Sequence, residues 1–301
     1  GQLIRLSDAE IPVVIIAGNH STPKLRETGS VFKLFESLEH ITPVYRDEVE
    51  SVEVGELTIH ALPHCDQELV AAQMKKMAPS KKSRHNVAVM HAGITSLRVF
   101  RTGEFNELII PSSYLDPGFD YIALGHFHEH CQVTKNASYS GSTERLSFSE
   151  AGQKKGFVVV DLEKRRQEFR SLPVRPMLDL GPIDARRMSG EELRDAIASL
   201  LSGTDLSGKI ARLCVKDVSS AAYRTLDFNW LRAATALAMH FEPHFEVTPE
   251  SGSVQAGAGT IGPLEKEYVS FLESYALERA DKDRIRDRGI AYLRRGVGES
   301  D

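Results

Sequence analysis

Metal-type donors appear three times in this 301-residue chain, each time directly after a short apolar run: Gly18-Asn19-His20, His91-Ala92-Gly93 and Gly125-His126-Phe127-His128. Neutral imidazole nitrogens and amide oxygens are ligands for divalent transition metals. Residues two apart in an extended backbone point the same way, so His126 and His128 can converge on one centre. Gly125 permits a turn without a Cβ penalty and lets a ligand come close to the backbone. Taken singly, each motif has a plain structural reading. His126 and His128 could be two surface histidines on a loop, and Asn19 and His20 could be turn residues. The signal is the repetition of one order, strand then ligand, in three separate places.

The elements that must carry these groups are legible from the hydrophobic pattern. Ile11 to Ala17 is a β-branched run expected to form a central strand covered on both faces. Val87 to Met90 and Tyr121 to Leu124 are two more short apolar strands, ending at His91 and at Gly125. In such α/β sheets ligands lie beyond the carboxyl ends of the strands. Ser30 reads as the N-cap of an amphipathic helix with Val31, Leu34, Phe35 and Leu38 on one face. Val52 to Leu62 reads as a hairpin turning at Gly55-Glu56, with His60 and His64 in structural or surface roles. A polar and aromatic loop runs from Ile94 to about Asp116, and Ala137–Thr143 and Lys155–Leu162 are expected as further strands of the same layered sheet.

After about Ser171 the texture changes. A β-α-β-α-β run is expected, opened by a strand near Pro176–Leu180 and a capping box at Ser189-Gly190-Glu191-Glu192, with Trp230 in its core. The expected division is residues 1–171, then 172–247 as a small second domain, a polar linker at 248–262, and helices at 263–301. The two terminal helices are expected to dock on the body or on a partner, since short helices cannot bury their apolar faces on each other alone.

Bulk composition narrows the class. Hydrophobic content of 41% and charged content of 26% are ordinary for a globular protein. A net charge of −5 excludes a general polyanion binder, so any nucleic-acid contact needs a local basic patch or a partner. The basic group Lys75, Lys76, Lys81, Lys82 and Arg84 reads as a solvated helix end and loop. Cys65, Cys131 and Cys214 form no CxxC pair, which suits a reducing, cytoplasmic setting, and the longest apolar run is too short to span a bilayer.

The three histidine motifs, in their order and each after a strand, resemble the later motifs of calcineurin-like metallophosphoesterases. Ser140-Gly141-Ser142-Thr143-Glu144-Arg145, then Phe148, then Lys155-Gly156-Phe157, resembles the segment that closes the phosphoesterase domain of SbcD-type exonuclease subunits. The resemblance implies a layered α/β/β/α sandwich with a small α/β capping domain and C-terminal helices. By position it implies Asn19, His91 and His126 as ligands of one metal, His128 as a ligand of the other, and His20 as the non-ligand histidine over the scissile phosphate. It further implies Mn2+ as cofactor, two per intact site, and hydrolysis of phosphodiester bonds at double-stranded DNA ends in repair. The implied partner is an SbcC-type SMC-like ATPase, joined through the helices after Gly262 by a homodimer within a heterotetramer.

The pattern is incomplete. This family opens with Asp-x-His and Gly-Asp-x-x-Asp motifs, and neither precedes Gly18. The chain looks like a member whose first strand and helix are lost. Metal binding is therefore expected to be weak or partial, and the 301-residue polypeptide alone inactive or nearly so. Two other readings stay open: a metallophosphoesterase acting on another phosphoester, and a non-enzymatic scaffold with a degenerate metal site. No DNA-contacting residue is marked by the sequence.

Overall fold

A computed structural model describes residues 1–21, 29–95, 107–116, 118–248, 264–274 and 282–297. The linker expected at 248–262 lies almost wholly outside the described residues, as does the middle of the loop after Ile94.

The first body begins with helix α1 (Gln2–Asp8) and strand β1 (Val13–Ile16), which pairs in parallel with β2 (Ile41–Val44). Then come the hairpin β3 (Glu50–Val54) and β4 (Leu57–Leu62), helix α2 (Val70–Lys76) and β5 (His85–His91). Short strands β6 (Gly93–Ile94) and β7 (Ile109–Ile110) pair with each other. They are followed by β8 (Tyr121–Gly125), β9 (Cys131–Thr134) and β10 (Ala137–Tyr139). Six of these strands form one mixed sheet in the order β3-β4-β5-β8-β10-β9. Its middle four, β4, β5, β8 and β10, are parallel, so their carboxyl ends share one edge. That edge carries the site.

The alternation of apolar residues along β5 puts Ala88 and Met90 into the core with Leu62, Ile122, Leu124 and Tyr139. Each such buried aliphatic side chain stabilises the fold by roughly 1.5–3 kcal/mol. The Tyr139 hydroxyl, buried with its ring, donates to Ala92 O at 2.6 Å and so ties β10 to the end of β5. Strands β11 (Gly156–Asp161) and β12 (Arg166–Ser171) complete this part as an antiparallel pair.

The second body is the β-α-β-α-β run, wholly parallel: β13 (Met177–Asp184), α3 (Gly190–Ser202), β14 (Ile210–Ser219), α4 (Ser220–Thr225), α5 (Phe228–Ala234) and β15 (His240–Thr248). The capping box at Ser189 is present in both directions: its hydroxyl accepts from Glu192 N–H, and Glu192 accepts from Ser189 N–H. Leu193 and Ile197 then pack on Leu213 and Val215 in a core separate from the first. Trp230 is partly buried at its edge. The architecture is mixed α/β throughout, with sheets flanked by helices.

Three expectations change. β1 is not central: among the described residues it pairs only with β2 and is half-buried, because a β-branched run reports apolar surroundings but not how many strands flank it. The helix after Ser30 is a 3-10 turn (Val31–Ser37) that buries Phe32 and leaves Val31 and Leu34 exposed. β11 joins β12 and not the six-stranded sheet. The terminal helices α6 (Leu264–Ser274) and α7 (Lys282–Val297) lie against each other, Tyr268 donating to Ile285 O at 2.9 Å across the seam, and leave Phe271 and Tyr292 exposed. Gly289 makes that seam possible, since any Cβ there would run into the Tyr268 ring.

Two straps join the bodies. Arg212 of β14 places its guanidinium 4.7 Å from the Phe148 ring centroid. Arg145 donates to Arg175 O at 2.8 Å and to Gln153 O at 2.7 Å. No helix among the described residues is long and apolar enough to cross a membrane.

Candidate metal centre

His91 ends β5 in register with Gly125 at the end of β8. A Cβ at Gly125 would lie 3.2 Å from His91 Nδ1, and one at Gly18 would lie 2.6 Å from His91 Cε1. Both glycines therefore make room for one imidazole. Its Nε2 lies 3.0 Å from Asn19 Oδ1, joining the first and second sequence motifs across 72 residues of chain. Burial pushes the His91 imidazole down to about 3, and the neighbouring His126, His64, His20 and His128 push the same way. The ring is neutral at any physiological pH, the state a metal ligand needs.

His126 lies beside it, ring centroids 5.4 Å apart. Its φ of +109° is rare for a residue with a side chain, and the burial of the side chain (5% exposed) holds it there. The strand ends at Gly125, so His126 and His128 lie in the segment after it rather than in extended strand, and both act electrostatically on His91. Each has a carboxylate of its own. His126 Nε2 lies 3.2 Å from Glu107 Oε1, and His128 Nδ1 lies 2.8 Å from Glu150 Oε1. Gly93 leaves space for Glu107, whose Oε1 a Cβ there would approach to 2.8 Å.

His20 is exposed in the turn that Ser21 N–H closes on Gly18 O at 2.9 Å. Its charge bears on His91, so it belongs to the same neighbourhood. His60 has the structural role expected of it, bonded to Ser51 Oγ and Asn86 Oδ1. His64 is buried too, its backbone N–H donating to Ala17 O at 2.9 Å, and it acts electrostatically on His91. Glu107, Glu150 and His64 are thus additions that the histidine motifs alone do not reveal.

The donor set suits a divalent cation. Two cis ligands of an octahedral ion with bonds near 2.1 Å sit about 3 Å apart, and the Asn19–His91 and His126–Glu107 pairs stand at 3.0 and 3.2 Å. The mixture of imidazole nitrogen, amide oxygen and carboxylate is what Mn, Fe or Zn accept. Among the described residues, no three His, Cys, Asp or Glu side chains close on a single ion position. The preformed units are pairs.

No family model matches the chain. It is 25% identical over 205 residues to the SbcD component of the nuclease SbcCD from Staphylococcus epidermidis, covering 59% of this chain and 53% of that protein. It is 28% identical over 130 residues to the DNA double-strand break repair protein Mre11 of Sulfurisphaera tokodaii, 42% of this chain and 32% of the relative. With the Mre11 of Methanococcus maripaludis it shares 25% identity over 178 residues, 53% of this chain and 45% of the relative. The chain spans about half the length of the first of these curated relatives. Over about half its length, then, this chain with its histidines at one edge of a mixed α/β sheet is similar to the SbcD and Mre11 proteins.

Proposed function

We propose that the chain is the metal-dependent nuclease subunit of a DNA end-processing complex, cleaving phosphodiester bonds at double-stranded ends. The observation that carries this is the meeting of Asn19, His91, His126 and Glu107 at the carboxyl edge of the parallel strands. Asn19, His91 and His126 would hold one cation and His128 a second, with Mn2+ as the fitting choice. Bound cations would supply Lewis-acid activation of water and charge neutralisation at the phosphate. The chain's own residues do the rest. His91 stays neutral and so keeps a lone pair available. Glu107 offsets positive charge that the histidines alone would leave uncompensated. His20, exposed in the turn after β1, would hold or deliver a proton to the leaving oxygen.

Residues 1–171 would form the nuclease domain, 172–247 the capping domain and 263–301 the docking helices for an SbcC-type SMC-like ATPase, within a heterotetramer built on a homodimer. Exposed Phe271 and Tyr292 on α6 and α7 give such a partner an apolar surface to cover. Cys65, Cys131 and Cys214 are all free thiols, in keeping with a cytoplasmic enzyme.

The test is Mn2+ titration of the purified chain and of His91→Ala, followed by cleavage of blunt double-stranded DNA against bis-p-nitrophenyl phosphate. With an Asp-x-His and a Gly-Asp-x-x-Asp segment supplied upstream, DNA should be the better substrate, and His91→Ala should abolish turnover. Equal use of the generic diester would favour a phosphoesterase of another substrate class. A chain that binds no Mn2+ even then would be a scaffold.

A further inference from the structure

Glu150 and Lys155 form a buried ion pair that the chemistry above leaves unused. Lys155 is 1% exposed, and its three N–H donors meet three acceptors: Glu150 Oε2 at 2.6 Å, His128 O at 2.8 Å and Gln153 Oε1 at 2.9 Å. Glu150 Oε2 also accepts from Leu146 N–H at 3.2 Å, and Oε1 faces His128 Nδ1 at 2.8 Å. Removing two charges from water is costly, and a hydrophobic pair of the same size would serve stability as well. What a hydrophobic pair could not do is direct the proton on His128.

Glu150 Oε2 is held by the Lys155 ammonium at 2.6 Å and by Leu146 N–H at 3.2 Å, partners that demand an ionised carboxylate. An ionised carboxylate only accepts, so the ring nitrogen facing it must carry the hydrogen. The lone pair is then left on Nε2. Lys155 grips the carbonyl of the same histidine, so backbone and ring are fixed by one unit. Without it, the half-exposed imidazole of His128 would take the Nε2–H form that free imidazole side chains favour in water.

We propose that Glu150 and Lys155 are positioning residues that lock His128 in the Nδ1–H tautomer and so present its Nε2 to a divalent cation. The last step rests on the metal reading above; the tautomer does not. Partners of this kind on ligating histidines change metal affinity by roughly 10–100-fold.

The experiment is a long-range 1H–15N correlation spectrum of the 15N-histidine-labelled full chain at pH 8 without metal, His128 being assigned by its loss in His128→Asn. The expected result is a protonated Nδ1 and a bare Nε2. Glu150→Ala should shift His128 towards the Nε2–H form and weaken Mn2+ binding, followed by electron paramagnetic resonance, roughly 10–100-fold; Lys155→Arg should leave the tautomer in place. A wild-type His128 that is mainly Nε2–H overturns the proposal even if Glu150→Ala does not fold. So does a folded Glu150→Ala with unchanged tautomer populations. Failure of the wild type to bind Mn2+ would remove the metal reading, while the spectrum still decides the positioning one.

Discussion

Gly18 and Gly125 border the imidazole of His91, and the space at Gly18 admits no Cβ without moving the ring. Gly18→Ala should therefore turn His91 away from Asn19, costing about 1–3 kcal/mol in overpacking and at least about tenfold in Mn2+ affinity. Calorimetric titration and chemical denaturation read the two effects separately. His91 also sets a pH dependence. Its folded pKa of about 3 lies below the ordinary imidazole value, so between pH 6.5 and 3 the unfolded chain binds the extra proton. Stability should fall by up to about 1.4 kcal/mol for each pH unit descended through that window, and be flat above it. His91→Gln should flatten the slope in urea melts at pH 7, 5.5 and 4.5. At this scale the glycine-flanked endings are visible in sequence because strand, turn and ligand are neighbours along the chain. Glu107, Glu150 and His64 are not. They reach the histidines from loops and strand ends far along the chain, and only tertiary contact shows the meeting. Glu150 lies inside the Ser140-to-Phe157 segment that resembles the SbcD-type close of the nuclease domain, so a signal existed for the region but not for the residue.

Helix α3 owes its start to a local pattern, and the pattern is readable because both partners of the capping box lie within three residues. Ser189→Ala should destabilise the chain by about 1 kcal/mol without touching the site, measured as a shift in denaturation midpoint at unchanged Mn2+ binding. Gly156 in β11 is a harsher case: a Cβ there would collide with Arg170 O across the β11–β12 ladder. Gly156→Ala should break that pairing. Where sequence misled, the missing information was which neighbour an apolar face meets. The run at Ile11–Ala17 gave burial without strand count, and the terminal helices gave amphipathic faces without showing that Tyr268 and Gly289 interlock.

At the scale of the whole molecule, two hydrophobic cores hold the two bodies, and the charge of −5 leaves no general attraction for DNA. Removal of everything after Gly262 should abolish capture of an SbcC-type ATPase; retained capture would assign docking to another surface. Between the bodies, Arg212 lies over Phe148 and Arg145 donates to Arg175 O, and Arg145 and Phe148 both lie a few residues before Glu150. The carboxylate behind His128 is thus tethered to the C-terminal body. A twist of that body relative to the first would therefore pull on the segment that holds Glu150, and through it on His128.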